Sequence, residues 1–293
     1  MNTRIIPVEY NYVAPQTLTE ALNILAKKKD VKVLAGGTDL IVELKCGADV
    51  KMQTMMDIKR IADLQNIYEN DGLTIGATAK LSEIEDHEVV KEQYVALEEA
   101  LKAMAAIAVR HMGTMGGNFV NASPVADTAG PAMIFDADVK LISTKGERVV
   151  PAREWFKGPG KSAREATELV KEFHFPAVKA NVGTAFIKKT RVKPDISKVS
   201  ASVYVERDGE KIADLRIAMG SVAATPLYLG EVCKQFIGKE GTKAVFAEVA
   251  KVIADAITPI SDVRSTAEYR KQVGEVIVND ALALAWDRAG GVK

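Results

Sequence analysis

Hydrophobic and polar residues in the first part of the chain alternate between short strand-like runs and segments with helical spacing. "VEYNYV" predicts an extended lead, and Thr17 or Thr19 stands at the start of a helix whose apolar residues share one face. "VKVLAGG" predicts a strand that enters a glycine turn, and "TDLIVELKCG" predicts a helix with Thr38 or Asp39 as its cap. "MQTMMDIKRI" and "GLTIGATAKL" predict two further strands. Residues 93–109, rich in Ala and Leu, predict one long helix that leads into a second glycine turn.

The remaining chain predicts strands first and helices afterwards. "PAMIFDADVKLISTKGERVVPAREWF" predicts a helical turn and a strand pair joined at Lys145 and Gly146, and "ELVKEFHFP" predicts a strand that ends at Pro176. From about residue 181 a run of antiparallel strands follows, with a turn at Asp208–Gly209. "PLYLGEVCKQFIG", "KAVFAEVAKVIADAI" and "EYRKQVGEVIVNDALALAWDRA" then predict three amphipathic helices. The fold class is therefore α+β, with one domain over residues 1–176 and a second, of antiparallel sheet plus helices, over residues 177–293.

Composition and charge narrow the class of partners. The chain has 293 residues, with 39 Lys plus Arg against 39 Asp plus Glu, so no net field favours nucleic acid or an anionic membrane surface. We find neither a signal-peptide pattern nor an apolar run of the roughly 18 residues that span a bilayer. These features predict a cytoplasmic protein with small-molecule or protein partners.

Cysteine and histidine usage argues against a metal centre within this chain. Cys46 and Cys233 are the only cysteines, so they form no disulfide framework and cannot supply the set of four that usually holds an iron–sulfur cluster. His87, His111 and His174 are isolated and lack metal-ligand spacing. We therefore expect no metal ligands here.

The two glycine turns carry the chemistry. Glycine lets the backbone approach a ligand closely, and consecutive amide N–H groups in such a turn form an anion site. "AGGTD" alone fits either an anion site or an ordinary strand-to-helix connection, and neither turn has the G-x-G-x-x-G or the P-loop pattern. "TMGGNFVNASPVAD" is more specific, because it concentrates side chains that suit nucleotide hydroxyls and phosphates: Thr114, Asn118, Asn121, Ser123 and Asp127.

Together, "AGGTDL" and "VRHMGTMGGNFVNASPVADTAG" resemble the FAD-binding medium subunit of the molybdenum hydroxylases, the family of xanthine, carbon monoxide and nicotinate dehydrogenases. "LTIGATAKLSEIE" and "AFIKKTRVKPDISKVSASV" extend the resemblance over about residues 5–288. It implies a two-lobed FAD-binding domain of the vanillyl-alcohol-oxidase/PCMH type, with lobes at about residues 1–60 and 61–176, followed by the smaller domain.

The resemblance also implies the cofactor-binding residues. The first turn would wrap the FAD pyrophosphate, the second would close on the same phosphates, and Asn121, Asp127 and Lys188 would lie against the cofactor, with Lys189 an equal alternative to Lys188. His111 departs from the family pattern, and we assign no catalytic base. The turn residues are Ala35, Gly36, Gly37, Thr38, Asp39 and Leu40, and Thr114, Met115, Gly116, Gly117 and Asn118.

The implied function is electron transfer within a multisubunit enzyme. An iron–sulfur small subunit and a molybdopterin large subunit would oxidise the substrate, and electrons would pass through FAD to an external acceptor, most familiarly NAD+. Two alternatives stay open: a stand-alone flavin-dependent oxidoreductase of the same fold, and a non-catalytic nucleotide-binding assembly subunit.

Overall fold

The computed structural model of the protein describes residues 6, 9–47 and 51–291. Its N-terminal part is a small parallel sheet with helical connections. It comprises β1 (Asn11–Val13), α1 (Leu18–Lys27), β2 (Val31–Leu34), α2 (Leu40–Lys45) and β3 (Thr54–Asp57). The strand order is β1-β3-β2, with both pairs parallel. Thr17 caps α1, because its hydroxyl accepts a hydrogen bond from the Glu20 amide. The apolar face of α1 packs with Met56 and Ile58 beneath the sheet.

The middle of the chain forms a five-stranded antiparallel sheet with helices between its strands. Its helices are α3 (Leu81–Asp86), α4 (Glu88–Gln93), α5 (Val95–Ala103), α6 (Ile107–Arg110), α7 (Met115–Asn121) and α8 (Ala129–Ile134). Its strands are β4 (Ile67–Glu69), β5 (Gly72–Gly76), β6 (Asp138–Ser143), β7 (Gly146–Pro151) and β10 (Leu169–Pro176), with a separate hairpin of β8 (Phe156–Gly158) and β9 (Lys161–Ser162). The strand order is β4-β5-β10-β6-β7. β10, the last of the five strands in the sequence, therefore lies between β5 and β6. Trp155 anchors the core, where its indole N–H donates to the Phe119 carbonyl at 2.7 Å.

The C-terminal part is a four-stranded antiparallel sheet covered by helices. It comprises β11 (Val182–Lys189), β12 (Val199–Asp208), β13 (Lys211–Gly220), β14 (Leu227–Tyr228), α9 (Gly230–Cys233), α10 (Lys243–Ala256) and α11 (Ala267–Ala289). The predicted turn at Asp208–Gly209 joins β12 to β13. One face of the sheet packs against α10 and α11 around Ile217, Val249 and Ile277. The predicted α+β class is confirmed.

The C-terminal sheet packs directly against α5. Glu99 on α5 makes the link, since its carboxylate accepts hydrogen bonds from the Phe186 amide of β11 at 2.8 Å and from Arg288 of α11 at 2.6 Å. The Thr184 hydroxyl also accepts from the Ala96 amide at 3.2 Å. These bonds fix the two parts of the chain against each other.

Two predicted helices are wrong. Residues 93–109 do not form one helix, because the chain leaves α5 after Ala103 and takes a left-handed conformation at Ala105 (φ 45°) before α6 begins. The Arg110 guanidinium donates to the Met104 and Ala105 carbonyls at 2.9 and 3.1 Å, which satisfies the end of the broken helix.

"PLYLGEVCKQFIG" is also not a single helix. It begins as the short strand β14, which pairs with Ala218 and Met219, and continues as α9 and a 3-10 turn. Pairing with the sheet edge replaces the helical pattern of its first residues.

We propose that residues 1–176 and 177–293 are separate domains, the first divided into lobes near residue 60. Among the described residues, no helix is both long and apolar enough to cross a membrane.

Candidate functional site

The first glycine turn connects β2 to α2. Gly37 has φ 74°, a conformation that residues with a Cβ rarely adopt. At Gly36 a Cβ would collide with the Met112 carbonyl oxygen and would lie 2.8 Å from Gly113 Cα. Only glycine therefore lets the backbone of the first turn touch the backbone that enters the second.

The second turn is held between the first turn and the segment that follows β5. The Thr114 hydroxyl caps α7 by accepting from the Gly117 amide at 3.0 Å. The Gly116 amide donates to the Ala77 carbonyl at 3.0 Å, and a Cβ on Gly116 would lie 2.5 Å from the same oxygen. Close backbone approach is thus required on both sides of the site.

A cavity of about 670 Å³ opens where the two turns meet. Such a volume lies within the roughly 300–1,000 Å³ usual for small-molecule sites. All of the predicted cofactor-binding residues except Met115 line it. Met115 is instead fully buried in the core. Segments distant in the sequence therefore converge on one space.

Asp127 and Lys188 form a buried ion pair in the cavity wall. Lys188 Nζ lies 2.7 Å from Asp127 Oδ2 and also donates to the Ala103 carbonyl at 3.3 Å. The side chains are only 7% and 3% exposed, and Asp127 Oδ1 is buried without a hydrogen-bond partner in the described chain. Burial raises the pKa of Asp127 to about 6, although the Lys188 charge acts in the opposite direction. An unused acceptor beside a fixed cation suits a ligand with N–H or O–H donors.

Asn118 lines the cavity with a side chain that is fixed at its oxygen. Its Oδ1 accepts from the Thr128 hydroxyl at 2.6 Å, and no described residue accepts from its Nδ2. The amide N–H groups are therefore available to a ligand. Lys189, the alternative to Lys188, does not line the cavity.

Several cavity residues carried no signal in the sequence. Pro194, Ile196 and Ser197 come from the connection between β11 and β12, and Arg164 follows the β8–β9 hairpin. None stands in a glycine turn, so only the tertiary fold brings them to the site. His111 is exposed and does not line the cavity. No group of His, Cys, Asp or Glu side chains in residues 6, 9–47 and 51–291 has the geometry of a metal site.

A dinucleotide such as FAD fits these observations. Glycines let the two turns pack backbone against backbone at the cavity wall, and the volume suits an extended ligand. The unused Asp127 oxygen and the Asn118 amide supply an acceptor and donors. The donor set thus matches the chemistry of FAD.

Comparison with known proteins decides the family. The model for the FAD binding domain in molybdopterin dehydrogenase matches residues 8–178. The chain belongs to this family. The CO dehydrogenase flavoprotein C-terminal domain matches residues 184–285. FAD is therefore the cofactor, and the chain is an oxidoreductase subunit of the molybdenum hydroxylase family.

The similarity to known proteins extends over almost the whole chain. The xanthine dehydrogenase FAD-binding subunit of Escherichia coli O157:H7 is 29% identical over 96% of this chain and 97% of its own. The glyceraldehyde dehydrogenase medium chain of Sulfolobus acidocaldarius is 30% identical over 94% and 98%. Carbon monoxide dehydrogenase of Hydrogenophaga pseudoflava superposes with a TM-score of 0.93 at 30% identity, over 97% of this chain and 99% of that one.

Proposed function

We propose that this subunit carries electrons from partner iron–sulfur clusters through FAD to an external acceptor such as NAD+. The observation that supports it best is the convergence of both glycine turns and the Asp127–Lys188 pair on one cavity. Bound FAD would supply the exchange between one-electron carriers and a two-electron acceptor.

The residues of this chain hold and orient the cofactor in this proposal. The backbone of the two turns would contact the pyrophosphate, because Gly36 and Gly116 let the turns and their neighbouring segments pack closely at the cavity wall. Asp127, Asn118 and Asn121 would bind hydroxyl or N–H groups of FAD. Lys188 fixes the Asp127 carboxylate through the 2.7 Å ion pair.

Partner subunits would contain the other redox centres. Among the similar proteins, the glyceraldehyde dehydrogenase and carbon monoxide dehydrogenase chains are named as medium chains, and the xanthine dehydrogenase chain as an FAD-binding subunit. Cys46 is exposed and Cys233 is buried in the C-terminal core, so the two cysteines do not form a cluster site. We therefore propose an iron–sulfur small subunit and a molybdopterin large subunit as partners, in a cytoplasmic complex.

Purification of the tagged full-length chain from its native cells tests this function. We expect flavin, iron and molybdenum to co-purify, and the flavin absorption to bleach when NADH is added without oxygen. Flavin without iron or molybdenum would contradict the partner assignment, whereas a complete complex that ignores NADH would contradict only NAD+ as acceptor.

A further inference from the structure

Arg164 lines the cavity with a positively charged side chain to which the proposed function assigns no role. Its Nη1 donates to the Glu165 carbonyl at 2.9 Å and to the Glu168 carbonyl at 2.8 Å. These bonds fix the guanidinium plane. No described residue accepts a hydrogen bond from Nε or Nη2, so both remain available to a ligand.

Arg164 makes no ion pair within the described chain. Glu168, whose charge acts on Arg164, is itself bound by Arg148 through two bonds of 2.5 and 2.7 Å and accepts from the Glu165 amide. The half-buried Arg164 side chain is also desolvated, which lowers its pKa. A partly desolvated charge without a partner is unfavourable, so an anion in the cavity would stabilise it.

Neither of the other two cationic side chains that line the cavity is both desolvated and unpaired. Lys188 is already paired with Asp127 at 2.7 Å, and Lys32 is exposed on β2. A diphosphate inside the site would therefore meet Arg164 as the desolvated cation that is free to pair.

Backbone contacts connect Arg164 with the second glycine turn. Its anchor, the Glu168 carbonyl, immediately precedes β10. Two residues into β10 the Lys171 carbonyl accepts from the Ala77 amide at 3.0 Å, and the Ala77 carbonyl accepts from the Gly116 amide at 3.0 Å. The carbonyl that anchors the guanidinium thus leads into a strand that is linked through Ala77 to the turn assigned to the pyrophosphate.

We propose that Arg164 binds the ADP half of FAD, with its guanidinium as the counter-ion of the diphosphate. This assignment rests on the proposed function, because it assumes that FAD occupies the cavity. It identifies a residue that discriminates between ligands with and without the ADP half. A bond between a guanidinium and a phosphate is charge-assisted, so its loss should weaken binding by about 10- to 100-fold.

Calorimetric titration of the full chain with FAD, ADP and riboflavin tests the proposal. We expect Arg164→Gln to bind FAD and ADP about 10- to 100-fold more weakly and riboflavin unchanged, with Arg164→Lys intermediate because it keeps the charge. Arg153→Gln is the matched control, since Arg153 pairs with Asp136 outside the cavity. Melting temperatures of all variants separate binding effects from unfolding.

Each other outcome contradicts a defined statement. Wild-type affinity of Arg164→Gln for FAD and ADP, an equal loss of riboflavin binding, or a lowered melting temperature without rescue by Arg164→Lys would overturn the role of Arg164. A wild-type chain that binds none of the three compounds would overturn the proposed function itself.

Discussion

At the scale of single residues, the carboxylate of Asp127 has the most unusual environment of the site. Its pKa is raised from 3.8 to about 6 because it is buried, even though Lys188 lies beside it. The folded chain therefore binds a proton at Asp127 in a pH range in which the unfolded chain releases it. The stability that this proton contributes is complete below about pH 3.8 and is lost as the pH rises to about 6.

Asp127→Asn should remove this pH dependence. Between about pH 4 and pH 7, the unfolding free energy of the FAD-free wild type should fall by about 3 kcal/mol relative to that of the variant. Urea unfolding of both proteins across this range measures the difference. A wild-type-to-variant difference that stays constant with pH would show that Asp127 titrates normally.

Gly37 and Gly47 share a backbone conformation and allow a comparative test of the first turn. Their φ angles are 74° and 77°, so an alanine at either position should cost a similar 1–2 kcal/mol or so of backbone strain. Only Gly37 lines the cavity. We expect Gly37→Ala to be destabilised more than Gly47→Ala, because its added Cβ would lie 2.8 Å from Leu34 Cδ1 whereas nothing lies within 4 Å at Gly47. Only Gly37→Ala should bind FAD at least about 10-fold more weakly. Equal FAD affinity in both variants would remove the first turn from the site.

A glycine at position 37 could be predicted because its left-handed backbone conformation is a local requirement of the turn. The close approaches of Gly36 to Met112 and of Gly116 to Ala77 are tertiary and could not. Arg164 and Ser197 could not be predicted, since each is a common residue in a connection and becomes part of the site only through packing. Met115 is the converse case. It lies within the motif, yet the helical direction of α7 turns it into the core.

At the scale of elements, the break between α5 and α6 shows how tertiary contacts override helix propensity. Ala and Leu favour one helix locally, but Arg110 and the Lys188 bond to the Ala103 carbonyl stabilise the interruption. The break brings Met104 and Ala105 to the cavity wall. A local pattern contains no information on these distant partners.

Arg270 connects the C-terminal helices with two cavity-lining segments. It is 3% exposed and donates to the Ser221 carbonyl and to Asp262 Oδ1, both at 2.8 Å. Ser221 in turn donates from its amide to the Pro124 carbonyl at 3.0 Å and from its hydroxyl to the Ser197 carbonyl at 3.2 Å. The segments around Pro124 and Ser197 are thus fixed through one guanidinium.

Arg270→Met should lower the unfolding free energy by about 1–3 kcal/mol and weaken FAD binding, because buried hydrogen bonds to both partners are lost. Arg264→Met is the control. Arg264 also pairs with Asp262, but at 3.9 Å and with a side chain that is 46% exposed. Such surface pairs contribute little, so this variant should change stability by less than about 0.5 kcal/mol. Thermal unfolding and FAD titration of both variants provide the comparison, and equal effects would contradict a role for the Arg270 network.

At the scale of the whole molecule, the order of strands and helices could largely be predicted, because turn residues and apolar periodicity are local signals. The arrangement of the sheets could not. β10 is inserted between β5 and β6, and it pairs with β5 about a hundred residues earlier in the sequence. Such nonlocal pairing leaves no local pattern. The cavity depends on this assembly, since it forms where the N-terminal turn, the middle sheet and the β11–β12 connection meet.

Binding of one FAD between the two glycine turns is the central requirement of the proposed function. The most direct measurement is a titration of the purified full-length chain with FAD, followed by flavin fluorescence, with Gly37→Ala and Gly47→Ala measured alongside. We predict saturation at one FAD per chain for the wild type and Gly47→Ala, with clearly weaker binding for Gly37→Ala. Absence of saturable binding, or identical binding by all three proteins, would contradict the account.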